Sequence, residues 1–196
     1  MARLGWRETV VRPFALLPVA LVVGLVAERA AFGSGDLALA AGDLAVGLVL
    51  VGCGAIAWER RAWSRVGPLM ALAGFTWLVG GFGAALLYLH RGPLVHLHLS
   101  YPTGRLPTRL SRAVVVAAYV DASILGLARL DGLTIALSVA VALTAAQVFL
   151  GTSGPARKAG APALAAALAF AGVLAFAAAA RMVGVCLLYT SDAADE

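Results

Sequence analysis

The feature that most constrains this sequence is the recurrence of uninterrupted apolar runs long enough to cross a lipid bilayer. A hydrocarbon core about 30 Å thick is spanned by a helix of about 20 residues. The run "PFALLPVALVVGLVAERAA", Pro13 to Ala31, is the first of that length, and Leu37 to Trp58, Leu133 to Leu150 and Leu164 to Ala180 repeat the pattern. With 62% hydrophobic and 13% charged residues in 196, and a mean hydropathy of +0.93, the chain is too apolar for a single water-soluble core. The runs are continuous and rich in Ala, Leu and Val, whereas a membrane β-barrel needs short segments that alternate apolar and polar. The expected fold is all-α, a polytopic transmembrane helical bundle in the plasma membrane, with the lipid bilayer as its first partner.

The formal charge of +5 does not indicate nucleic-acid binding, because the arginines stand singly or in threes between apolar runs and form no basic face. Cys53 lies inside an apolar run and Cys186 near the carboxyl end, so neither a disulfide framework nor a cysteine metal site is indicated. The first run has the length of a retained span and no clear cleavage site, unlike a signal peptide.

Charge placement sets the topology. The first span enters after Arg3, Arg7 and Arg12 and leaves through Glu28, Arg29 and "FGSGD"; the second stops at "ERRAWSR", with Trp58 and Trp63 in the interfacial belt. The third starts near Val66, with Pro68 in an early helical position. Beyond Gly80 two assignments exist. With six spans, the third continues to Leu89 and "HRGPLVHLHLSYP" is an external loop. With seven, the third ends near Gly81 and a fourth runs from Ala84 to Tyr101. Later spans cover Ala113 to Leu127, then Leu133 to Leu150 after an "ARLDG" turn, then Leu164 to Ala180 after a polar "GTSGPARKAGAP" loop.

A cytoplasmic amino terminus and seven spans put Arg105, Arg109, Arg112, Arg157 and Lys158 inside, together with the arginines before span one and those at Arg60, Arg61 and Arg65. Arg29, Arg129 and Arg181 are then outside. Six spans leave almost no bias, so the excess of inner positive charge favours seven.

Seven spans also place Arg91 within the membrane, where an arginine costs roughly 2.5–3.5 kcal/mol on insertion scales and calls for an interior partner. Asp121, at matching depth in the fifth span, is the expected partner. Gly92 and Pro93 remove helix support beside it and suggest a hinge. His96 and His98 project about 200° apart on a helix, which separates them as ligands of one metal. No metal or cofactor is therefore expected, although His90, His96 and His98 remain candidates for intramembrane sensing alongside Arg91 and Asp121. No phosphate-binding loop or nucleophile elbow occurs, and no catalytic residue is assigned. Small-x-x-x-small spacings are too frequent in so alanine-rich a chain to locate a helix interface.

The stretch "RAWSRVGPLMALAGFTWLVGG", followed by "LLYLHRGPLVHLHLSYPTGRLPTRLSRAVVVAAYV", resembles the amino-terminal membrane region of actinobacterial two-component sensor histidine kinases. There a span ends in a Tyr/Phe-Pro-x-Gly-Arg-Leu junction, here Tyr101, Pro102, Gly104 and Arg105. His90, Arg91, Gly92, Pro93 and His96 also carry the resemblance, whereas His98 stands where the pattern has an apolar residue. The resemblance covers about residues 58–120 and implies an input region that signals to a cytoplasmic, homodimeric kinase.

The chain itself contains neither a phosphoacceptor His-acid motif nor ATP-binding boxes. Its ending, "VCLLYTSDAADE", departs from the preceding composition and resembles translated adapter sequence. Residues 1–184 are thus expected to form the sensor region and 185–196 a non-native tail. The expected function is the signal-sensing input of a histidine kinase; the alternative is a small transporter or permease subunit with Arg91 and Asp121 at its substrate site.

Overall fold

In the computed structural model, residues 13–184 are described apart from residue 34. The amino-terminal arginines and the expected non-native tail over 185–196 lie outside the described residues. Every regular element among those described is a helix. The chain divides into two compact units, Met1–His90 and Arg91–Glu196.

In the first unit a 3-10 turn, Pro13–Ala15, leads into α1 (Leu16–Phe32). Next come α2 (Leu37–Arg60) and α3 (Val66–Val79), which ends in a second 3-10 turn, Gly80–Phe82. The start of α2 is set by Asp36, whose carboxylate accepts from the Ala38 and Leu39 N–H groups at 3.0 and 3.1 Å. These donors have no partner within the helix, which is why an aspartate at this position fixes its first turn.

Close approach of α2 and α3 depends on glycine. Gly47 and Gly54 lie seven residues apart on one helix, and Gly67 and Gly74 seven apart on the other. A Cβ at Gly54 would sit 2.6 Å from the Ala71 nitrogen, and one at Gly74 would sit 2.7 Å from the Gly47 oxygen. Both obstacles are backbone and cannot swing aside. Leu78 fills the remaining space, packed with Ala20 and Val51. Without a hydrophobic driving force between helices in lipid, such backbone proximity is how van der Waals contact accumulates.

The second unit contains α4 (Arg91–Ser100), α5 (Arg109–Ser123), the single turn α6 (Leu125–Ala128), α7 (Asp131–Leu150) and α8 (Gly154–Met182). Val95, Leu99, Val114, Val115, Val141 and Ala167 meet in its core. The start of α5 is held by a reciprocal cap. The Thr108 hydroxyl accepts from the Ser111 N–H at 3.0 Å, and the Ser111 hydroxyl accepts from the Thr108 N–H at 3.1 Å.

Among the described residues, four helical segments are long and apolar enough to cross a membrane: Pro13–Ala31, Leu37–Arg60, Asp131–Leu150 and Gly160–Met182. Val66–Phe82 is a shorter apolar helix. Their outward faces are apolar; Val22, Val49, Leu143, Val173 and Phe176 are each more than 60% exposed. Such faces suit hydrocarbon and would be costly in water.

The structure departs from the sequence expectation at three places. A helical fourth span from Ala84 to Tyr101 is not formed: residues 84–90 are turns, and α4 has only ten residues, about 15 Å. The fifth apolar stretch is broken at Ile124, which takes an extended conformation between α5 and α6. Just before the break, the Ser123 hydroxyl donates to the Tyr119 carbonyl at 2.7 Å, a back-bond that competes with helical pairing. Finally, most of the segment expected as a polar loop after Leu150 belongs to α8, which starts at Gly154. Pro155 falls in its first turn, where a missing N–H has no cost.

The glycine contacts give a direct test. Gly54→Ala should lower stability in detergent by about 1–3 kcal/mol through overpacking. Gly42→Ala, also in α2 but with nothing within 4 Å of an added Cβ, should be neutral or stabilising. Equal melting temperatures for the two variants would refute the close-packed α2–α3 interface.

Candidate functional site

Arg91 is the first residue of α4 and is 5% exposed. Its guanidinium lies within the second unit, where three elements supply oxygen. Nη1 donates to the Ala128 carbonyl at 3.2 Å and to the Thr134 hydroxyl at 3.3 Å, and stands 3.6 Å from Asp121 Oδ2. Each acceptor has a structural origin. Asp121 is near the carboxyl end of α5, Ala128 ends the single turn α6, and Thr134 is in the first turn of α7. The break at Ile124 allows this convergence, because it ends α5 after Asp121 and turns the α6 carbonyl end toward the arginine. The Ala128 carbonyl oxygen carries its own partial negative charge and adds to the attraction of the carboxylate.

Arg91 and Asp121, expected as partners from their equal depth, thus form a buried ion pair. Its geometry is loose. At 3.6 Å the contact is longer than a hydrogen bond, and neither Asp121 oxygen has a hydrogen-bond partner among the described residues, although Asp121 is 3% exposed. Nη1 donates to two neutral oxygens, while the carboxylate relies on the nearby positive charge. Thr134 is itself fixed from below: the Ser138 hydroxyl donates to its carbonyl at 2.8 Å.

Gly92 and Pro93 were expected to kink a continuous helix. They lie instead in the first turn of α4, where Pro93 is buried and its missing N–H leaves no helical bond unmade. Gly92 has a packing reason. A Cβ there would lie 2.7 Å from the Tyr119 ring, so the glycine lets α4 rest on the face of α5 that carries Tyr119.

The three histidines go to three separate environments. His90, in the first unit, packs against Trp77 with ring centroids 4.5 Å apart. His96 meets Tyr119, with Nδ1 3.4 Å from the hydroxyl. His98 donates from Nδ1 to the Leu94 carbonyl at 2.7 Å and stacks on Phe170 of α8 at 5.0 Å. No group of three potential metal-ligating side chains exists among the described residues.

The Tyr101–Arg105 junction is a compact turn between α4 and α5. The Gly104 N–H bonds to the Ser100 carbonyl at 2.8 Å, and Gly104 adopts φ +74, a left-handed conformation that glycine enters without penalty. Tyr101, Pro102 and Arg105 are exposed, as are Arg109 and Arg112 on α5, so the turn presents a cationic edge.

Three polar features escaped sequence reading: the Thr134 and Ser138 hydroxyls beneath Arg91, the Asp131–Arg181 pair joining α7 to α8 at 2.6 Å, and the bond from Trp77 Nε1 to Asp43 at 2.9 Å. The Arg91–Thr134, Asp131–Arg181 and Trp77–Asp43 contacts link residues distant in sequence, and the Ser138–Thr134 bond is a local back-bond with no sequence signature. Comparison with known proteins gives no match to a family model, to a curated protein or to a solved structure.

Removing one member of a buried pair strands the other, at about 3–5 kcal/mol. Asp121→Ala and Arg91→Leu should each lower the melting temperature or yield of the purified protein strongly. The double variant should recover much of the loss, because no charge is then left alone. A double variant as damaged as the sum of the singles would show that the two residues do not act as a pair.

Proposed function

We propose that this chain is the membrane input region of a two-component sensor histidine kinase, without phosphotransfer activity of its own. The observation that supports the reading best is the Tyr101-Pro102-Thr103-Gly104-Arg105 junction, the part of the sequence that most resembles that family. Its exposed turn and the arginines at positions 105, 109 and 112 suit a cytoplasmic edge that meets anionic lipid headgroups. In this reading the amino terminus is cytoplasmic and the chain crosses the plasma membrane seven times. The fourth crossing combines the irregular segment 84–90 with α4, since backbone without helical pairing is tolerated at membrane depth where it is buried in protein or lines a cavity. The functional protein is a homodimer joined through its kinase portion.

The break at Ile124 beside the buried ion pair favours a second reading, a small permease with Arg91 and Asp121 at the substrate site. Substrate uptake by proteoliposomes that is lost in Asp121→Ala would favour it over the first.

Two measurements test the primary reading. Reading the source locus past codon 184 should show the frame continuing through a further span into a phosphoacceptor helix and an ATP-binding domain; an in-frame stop or an unrelated domain would contradict it. For topology, Thr103→Cys in a background free of Cys53 and Cys186 should react with a membrane-impermeant maleimide only from the cytoplasmic side. Reaction only from the external side would restore six spans.

A further inference from the structure

The first unit contains an acidic pair for which Arg91 and its surroundings offer no role. Glu28, on α1, is 6% exposed, and neither carboxylate oxygen has a hydrogen-bond partner among the described residues. Its carboxyl lies against that of Asp43 on α2. Asp43 is oriented by Trp77 of α3, whose indole N–H donates to Oδ1 at 2.9 Å, and the Trp77 ring is backed by His90. Arg29, next in sequence, is exposed, and no lysine or arginine forms an ion pair with either carboxylate among the described residues.

Two adjacent carboxyl groups with no cation paired to either repel each other once both ionise, the more so where one is buried, and a cation relieves that repulsion. Beside them is a cavity of about 460 Å³. Asp43, Trp77 and His90 line it together with the apolar Ala30, Ala84 and Leu87, and Glu28 reaches it only through Asp43. The volume is in the range of small-molecule pockets and far exceeds the need of a bare metal ion. A lining that combines aromatic rings, apolar side chains and a carboxylate is complementary to a positively charged group carrying hydrocarbon.

We propose that this cavity binds a small organic ammonium ion. The cationic nitrogen sits against Asp43, with Glu28 behind it adding negative potential, and the hydrocarbon portion rests between Trp77 and the Gly80–Ala84 turn. Trp77 acts twice: its N–H fixes the carboxylate and its ring face attracts the cation. The site stands whether or not a kinase follows the chain, since it uses only residues of the first unit.

The test is a titration of the purified full chain in nanodiscs with benzyltrimethylammonium, compared with its uncharged isostere neopentylbenzene, by calorimetry. Saturable binding of the cation and much weaker binding of the isostere are expected. Asp43→Asn and Glu28→Gln should each weaken cation binding about tenfold or more, and Asp131→Asn, at a half-buried carboxylate of the second unit that pairs with Arg181, should leave it unchanged. Failure of the wild-type chain to bind the cation would overturn the proposal. So would equal affinity for the isostere, a measurement that needs no variant to fold, or unchanged binding by a Glu28→Gln/Asp43→Asn double variant of normal helicity.

Discussion

A guanidinium held in an apolar bundle must be given negative charge and hydrogen-bond acceptors by the surrounding helices, and the second unit is organised around doing so for Arg91. The arginine opens α4, its counter-charge ends α5, and its two neutral acceptors come from the end of α6 and the beginning of α7. Interrupting α5 at Ile124 costs helical hydrogen bonds but turns the Ala128 carbonyl toward the cation. The pair is therefore both a structural tie and a point of low tolerance. Any movement of α4 against α5 or α7 alters how that charge is compensated, which is the property an input element or a transport gate needs.

The first unit is held differently. Gly47 and Gly54 of α2 and Gly67 and Gly74 of α3 bring two backbones into contact, and the exposed aliphatic surface around them has lipid as its complement. Such packing is rigid because backbone cannot yield to added volume. Near one end of it, Glu28, Asp43 and Trp77 introduce polarity that the packing does not require.

Much of the architecture was legible because lipid imposes a length and a composition. The four longest apolar runs reappear as helices, and apart from the start of α8 their ends fall within a few residues of expectation. The Arg91–Asp121 pair was also readable, since equal depth on neighbouring antiparallel segments is a one-dimensional inference. The start of α4 was not. From Ala84 to Leu99 leucine, valine and alanine flank His90, Arg91 and His96 on both sides, so hydropathy marks no boundary there, and it does not register the glycines at 80, 81 and 83 or the acceptors that meet Arg91. The α8 start was missed for the opposite reason: Pro155, Arg157 and Lys158 look like loop residues, yet a proline suits the first helical turn and the Arg157 guanidinium lies over the Phe149 ring. The Asp43–Trp77 bond spans 34 residues, and the heptad spacing of the glycines was hidden by the abundance of small residues.

The account depends most on the buried pair existing in a bilayer. Solid-state NMR dipolar recoupling between 15N-labelled arginine side chains and 13C-labelled aspartate carboxyls, in protein reconstituted into lipid, measures it directly, with Asp131→Asn used to silence the competing Arg181 contact. Dephasing that fits the 3.6 Å nitrogen–oxygen approach and disappears in Arg91→Leu is the predicted result. A dephasing curve identical in the Asp131→Asn protein and its Arg91→Leu derivative would contradict the account.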